Sequence, residues 1–165
     1  MLLVAAAIPV SLSAESSETT FYYQISSSAS GTKAEVYFAK DKDTLTDPGT
    51  EDITWSAADL ASGSSPEYYL NVTAGKTPTV SISFSPFSGG STSFGYEVSI
   101  SHTSDAEKHY SGTVSASEQW STTFSDVEAG ERQEYAIKYS FQPETLAVLG
   151  EGLYSSTVTV EVTVP

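Results

Sequence analysis

Apolar and polar residues alternate with a period of two along most of the chain. The clearest case is near its end, where Val158, Val160, Val162 and Val164 fall on one side and Thr157, Thr159, Glu161 and Thr163 on the other. That is the signature of a half-buried β-strand. The same alternation places Phe21, Tyr23 and Ile25 together, then Val36 and Phe38, Ile53 and Trp55, Tyr68, Leu70 and Val72, and Val80, Ile82 and Phe84. It continues through Phe94, Tyr96, Val98 and Ile100, a weaker run at Tyr110, Gly112 and Val114, Trp120 with Phe124, and a strong run at Tyr135, Ile137, Tyr139 and Phe141. Turn residues punctuate these runs at Ser30-Gly31, Pro48-Gly49, Ala74 to Lys76, Pro86 to Ser91 and around Gly130. Pro143 to Leu149 has the Pro-first, apolar-spaced pattern of a single helical turn. About nine or ten short strands with no long helix predict an all-β protein, an antiparallel β-sandwich of immunoglobulin-like type.

The first segment breaks this pattern. Leu2 to Leu12 is apolar but for Ser11 and too short to span a bilayer as a helix, and small residues follow at Ser13 and Ala14. Residues 1–14 therefore read as a signal peptide, cleaved after Ser13 or Ala14, although the first basic residue is Lys33. Residues 15–165 form a single sandwich domain, and no other stretch is apolar enough to predict a membrane span. Export places the expected location outside the cytoplasm, in the periplasm, on the cell surface or in the extracellular space.

Composition narrows the function further. Seven basic residues face 21 acidic ones, a formal net charge of -14. Such a field repels nucleic acid, and no basic cluster with interleaved aromatics offsets it. Charged residues make up only 17% of the chain, so Ser, Thr, Gly and Tyr must dominate its surface. There is no cysteine, which excludes a disulfide framework and a thiolate metal site.

Gly152-Leu153-Tyr154 stands between the helical turn and the last strand, where a Tyr can form the tyrosine corner of an immunoglobulin-like sandwich. A corner Tyr opens the next-to-last strand, so Tyr154 in that role implies a missing final strand; otherwise it is an aromatic at a strand start. The pattern Gly152-x-Tyr154-x-x-Thr157-Val158-x-Val160-x-Val162 resembles the C-terminus of spore coat U-type and related chaperone–usher pilin domains. The resemblance implies a sandwich lacking its last strand, filled by a neighbour's N-terminal extension through β-augmentation. It puts the donor segment at Thr19 to Ser27, with Phe21, Tyr23 and Ile25 as the inserted side chains, and Val158, Val160, Val162 and Val164 on the receiving edge. Gly31 follows this segment closely, so an ordinary first hairpin is the competing expectation. Many such pilins carry a disulfide, and this chain departs from them there.

Other chemistry is sparse. Ser101, His102 and Asp105 are the nearest approach to a triad, yet a polar turn supplies neither convergence nor an oxyanion hole, and there is no G-x-S-x-G elbow. No catalytic residue, and no enzyme activity, is expected. Asp41, Asp43, Asp47 and Asp52 follow a spacing like that of a Ca²⁺ loop, but Leu45 and Thr46 occupy positions where a ligand and the turn glycine belong. A loose surface calcium site is the sole cofactor expectation, beside the default of a solvated acidic loop. Tyr22, Tyr37, Trp55 and Tyr69 are candidates for a sugar-stacking platform, the tyrosines because they fall out of phase with the apolar face of their strands.

The expected function is that of an exported, non-enzymatic surface or fimbrial-type subunit. It would engage other subunits or a host or surface ligand through a sheet edge, and could form a homo-oligomer. The alternative is a monomeric carbohydrate- or ligand-binding module.

Overall fold

The computed structural model describes residues 19–31, 34–39, 42, 50–56, 67–142, 145, 148–149 and 152–165, with the backbone alone for 19–28, 38 and 50–56. Segment 1–14 lies outside the described residues. Two sheets pack face to face as an all-β sandwich. Sheet A contains β1 (Thr19–Ser30), β3 (Thr50–Ser56), β5 (Thr79–Phe84), β6 (Phe87–Gly89), β7 (Thr92–Phe94), β10 (Trp120–Phe124) and β12 (Gly152–Thr163). Its main order is β10-β5-β12-β1-β3, with β6 on β12 and β7 on β6. Sheet B has the order β2-β4-β11-β8-β9, made of β2 (Glu35–Ala39), β4 (Glu67–Thr73), β11 (Gln133–Ser140), β8 (Tyr96–His102) and β9 (His109–Val114).

The alternation explains which residues fill the space between the sheets. Tyr68, Leu70 and Val72 from β4, Ile100 from β8 and Tyr135 and Ile137 from β11 face Val80, Ile82, Val158 and Val160 from sheet A, and all are buried. A fully buried Val, Leu or Ile contributes about 1.5–3 kcal/mol relative to an exposed one, so the valine row of β12 is a main source of cohesion.

Two features differ from the sequence expectation. Pro86 to Ser91 is more than a turn. Phe87–Gly89 and Thr92–Phe94 pair as a small hairpin closed by Gly90 and Ser91, with Gly90 at φ 58°. A two-residue turn needs positive φ at this place, which glycine supplies without strain. The hairpin delivers Phe87 and Phe94 to one end of the core, where Phe87 stacks on Phe94 at 5.5 Å and meets Tyr96 at 5.3 Å and Phe141 at 5.7 Å.

The second difference is the sense of one pair. Sheet contacts are antiparallel except between β1 and β12, which run parallel in register from Thr19↔Gly152 to Ser30↔Thr163. β1 and β2 belong to different sheets, so the expected first hairpin does not form.

A buried polar knot ties the sheets together. Tyr96 of β8 donates its hydroxyl to the Ser85 carbonyl at 2.9 Å and lies 3.2 Å from Ser156 Oγ of β12. Ser156 Oγ donates to the same carbonyl at 2.7 Å, and the Thr157 amide donates to Ser85 Oγ at 2.8 Å. Either hydroxyl alone keeps the Ser85 carbonyl satisfied. Tyr96→Phe and Ser156→Ala should therefore each cost about 1 kcal/mol, and the double variant more than the sum, because it leaves a buried acceptor without a donor. Denaturant unfolding of the three variants checks this; strict additivity would refute it.

Candidate functional site

The most unusual geometry lies along β1 and β12. β12 is central in sheet A, with β5 on one side and β1 on the other. Val158, Val160, Val162 and Val164 are all buried, so the apolar phase of this strand is spent on the core. The register sets Phe21 beside Tyr154, Tyr23 beside Ser156 and Ile25 beside Val158. On its other side β1 pairs antiparallel with β3, with Phe21↔Trp55, Tyr23↔Ile53 and Ile25↔Glu51. The place next to the terminal strand is thus occupied by the chain's own first strand. That first strand reaches it from the far end of the sequence, with no hairpin to hold it.

Tyr154 is the third residue of β12 and does not precede the strand. Its ring is buried against Phe94, edge-on at 5.4 Å, under the β6–β7 hairpin. Gly89 makes this fit possible: a Cβ there would meet the Leu153 carbonyl and the Tyr154 ring at 2.6 Å. Tyr96 is a further tyrosine whose hydroxyl reaches backbone across the sheets, as described above. The signal for it was Ser156, a polar residue on the apolar phase of β12.

The four aromatic candidates divide between the sheets. Tyr22 and Trp55 lie on adjacent strands of sheet A, Tyr22 in register with Ser155 and Thr54. Tyr37 and Tyr69 come together on the outer face of sheet B, half-buried, with Tyr37 in register with Asn71 and Tyr69 with Ala39. The Tyr37 hydroxyl donates to Glu35 Oε2 at 3.3 Å. Of the calcium candidates, Asp41, Asp43 and Asp47 lie outside the described residues, and Asp52 of β3 is in register with Gln24 of β1. No group of three or more His, Asp or Glu able to hold a metal occurs among the described residues.

Both histidines sit at the β8–β9 end. Ser101 Oγ bonds His109 Nδ1 at 2.8 Å, while His102 Nε2 bonds Gln133 Oε1 at 2.7 Å. The Ser104 amide donates to His102 Nδ1 at 3.2 Å, which fixes the proton of the neutral ring on Nε2. Asp105 accepts from the Glu107 amide at 3.1 Å and forms a turn. Ser101, His102 and Asp105 therefore do not converge. A polar cleft of about 450 Å³ opens beside them, lined by Asp105, Lys108, Glu128, Glu131, Arg132 and Glu134 among others. Most of its charges are shared: Lys108 lies 3.7 Å from Glu128 and 3.9 Å from Asp105, and Arg132 3.3 Å from Glu134.

Beneath this end, the Tyr110 hydroxyl donates to Asp126 Oδ2 at 2.5 Å, and its ring stacks on Phe124 at 4.5 Å. Burial, then the hydrogen bond to Asp126, pushes the Tyr110 phenol well above its ordinary range. Burial, then the Asp126 charge, does the same to Tyr135, and burial raises Tyr68. An unfolded phenol ionises near pH 10, so above that the folded state holds more protons than the unfolded one. Stability should be flat with respect to these groups below about pH 10 and fall as pH rises past it. Thermal melts across that range, with phenolate absorbance followed in parallel, test the point. Ionisation of all ten tyrosines before unfolding would contradict it.

No known protein-family model matches the chain, and no curated protein sequence is similar to it. Helices long and apolar enough to cross a membrane are absent among the described residues.

Proposed function

We propose that the chain is an exported, non-enzymatic structural or adhesive subunit of a cell surface or extracellular fibre, assembling through the β1–β12 seam. The observation that carries this reading is the parallel ladder between first and last strands. A strand held only by ladder hydrogen bonds and alternate side chains can be supplied by the same chain or by a neighbour with the same contacts. The residues between β1 and β2 are few, so a modest rearrangement there would redirect β1 to another copy. The acidic, Ser- and Thr-rich character agrees with a surface-exposed product, and the apolar Leu2 to Leu12 segment with export.

The natural chain has no cysteine, which permits a clean test. Ile25 and Val158 stand in register, so Ile25→Cys in one copy and Val158→Cys in another can form a disulfide only when β1 of the first lies on β12 of the second. Mixing the two variants under oxidising conditions should give a covalent dimer on non-reducing gels. The reading fails if the double variant closes its bridge within one chain while the mixed singles never cross-link and the natural chain stays monomeric by light scattering.

A further inference from the structure

The two histidines differ in what stands opposite their Nδ1 atoms. His109 Nδ1 faces the Ser101 hydroxyl at 2.8 Å. A hydroxyl donates or accepts as required, so this bond survives protonation of the ring. His102 Nδ1 faces the Ser104 backbone amide at 3.2 Å, with the Ser104 hydroxyl at 3.3 Å. A backbone amide only donates, so the nitrogen it meets must carry no proton. The other nitrogen of His102, Nε2, donates to Gln133 Oε1 at 2.7 Å. Both ends of the ring are thus committed to one neutral form. Through them the ring ties the β8–β9 turn to a buried side chain of β11.

That tie holds one wall of the polar cleft, since Ser104, Asp105 and Lys108 of the turn line it. The base of the turn is fixed separately. The Thr103 amide donates to the Glu134 carbonyl at 2.9 Å, and the His102 amide to the Lys108 carbonyl at 3.0 Å. The tip is fixed less firmly. Apart from the bonds to His102, the hydrogen bonds of Ser104 to Glu107 among the described residues stay within the turn, from Lys108 and Glu107 amides to Asp105.

We propose that His102 is a proton-operated latch on this turn: a proton at Nδ1 expels the Ser104 amide and frees the tip from the cleft wall. A protonated ring presents N–H at both nitrogens. Gln133 Oε1 still accepts from Nε2, whereas the Ser104 N–H then meets another N–H. The closed turn and the Nδ1 proton exclude each other. The surrounding charges favour the cation once the latch is open. Asp105 and Glu107 in the turn, Glu128 and Glu131 before β11 and Glu134 on β11 are acidic; Lys108 and Arg132 oppose them and are already held by Asp105, Glu128 and Glu134. Tyr135 meets the ring edge-on at 5.1 Å, with Asp126 acting on its phenol from behind. The latch is on sheet B and independent of the β1–β12 seam on sheet A.

The test follows the isotope-labelled full chain by NMR from about pH 8 to about pH 5, a range in which an exposed imidazole titrates and carboxylates keep their charge. At the upper end the ring nitrogens of His102 should report the Nε2–H form. As the ring takes up its proton, the resonances of Ser104, Asp105, Ala106 and Glu107 should move with the same midpoint. Protection of the Ser104 amide against exchange, corrected for the intrinsic rate, should fall about tenfold per pH unit, the slope of a one-proton opening. Resonances of the strands should stay in place. His102→Gln should remove the pH dependence of the turn, and His109→Gln should leave it intact. If His102→Gln disturbs the strands, the natural chain and His109→Gln carry the comparison. The proposal is overturned if the His102 ring gains its proton while the Ser104 amide is unmoved. It is equally overturned if the ring stays neutral until the sandwich unfolds, or if the turn follows the midpoint of His109.

Discussion

Deletion of residues 1–28 should abolish the cooperative fold, and a peptide of residues 15–28 should restore it. β1 pairs with β12 along its whole length and with β3 on its other side. Removing it opens the flank of the central strand that carries Val158, Val160 and Val162, and it leaves β3 without its partner strand. An exposed edge of alternating Val and Thr, with one charge at Glu161, is an open template for pairing with other chains. The expected loss exceeds about 5 kcal/mol, the lower end of typical domain stability, so the truncated chain should be unfolded or aggregated. Circular dichroism and thermal melts of residues 29–165, with and without the peptide, provide the readout. Recovery of a sharp transition at saturating peptide would show that strand addition is thermodynamically sufficient. A truncated chain that melts as cooperatively as the natural one would make β1 dispensable and remove the physical basis for assembly through the seam.

Much of the fold was legible because the sheet period is local. Runs such as Tyr68-Leu70-Val72 and Tyr96-Val98-Ile100 announce both strand and buried face without reference to anything distant. What alternation does not encode is the neighbour. The parallel ladder joins Thr19 to Gly152, and no local signal distinguishes it from a first hairpin turned at Gly31. The same limit hid the division of Tyr22 and Trp55 from Tyr37 and Tyr69, since strand phase gives the face but not the sheet. Asn71 shares the polar phase of β4 and is nevertheless buried, which strand phase alone does not encode. Two exceptions to pattern did carry information. Ser156 interrupts the apolar phase of β12 and marks the polar knot. Gly112 interrupts β9, where an isolated strand glycine signals a close approach.

That approach is made by Trp120. A Cβ at Gly112 would lie 2.1 Å from Cε2 and Nε1 of the indole, so the ring rests directly on the glycine. Trp120 also stacks on Phe84 at 5.7 Å. β9 is an edge of sheet B and β10 an edge of sheet A, so the indole closes the flank of the sandwich between them. Gly112→Val should displace the ring, costing about 3 kcal/mol from lost aromatic burial and overpacking. For a domain of this size that is a fall of about 6–12 °C in Tm. In a Trp55→Phe background Trp120 is the sole indole, and its emission should shift to the red as it meets water. Unchanged Tm and emission would mean that the ring does not rest there in solution. The consequence for assembly is directional. Neither β9 nor β10 carries Lys or Pro to guard its edge, and closure by Trp120 is the guard they have. Opening it should therefore raise aggregation that the Ile25→Cys and Val158→Cys pair does not trap, separating nonspecific edge pairing from exchange of β1.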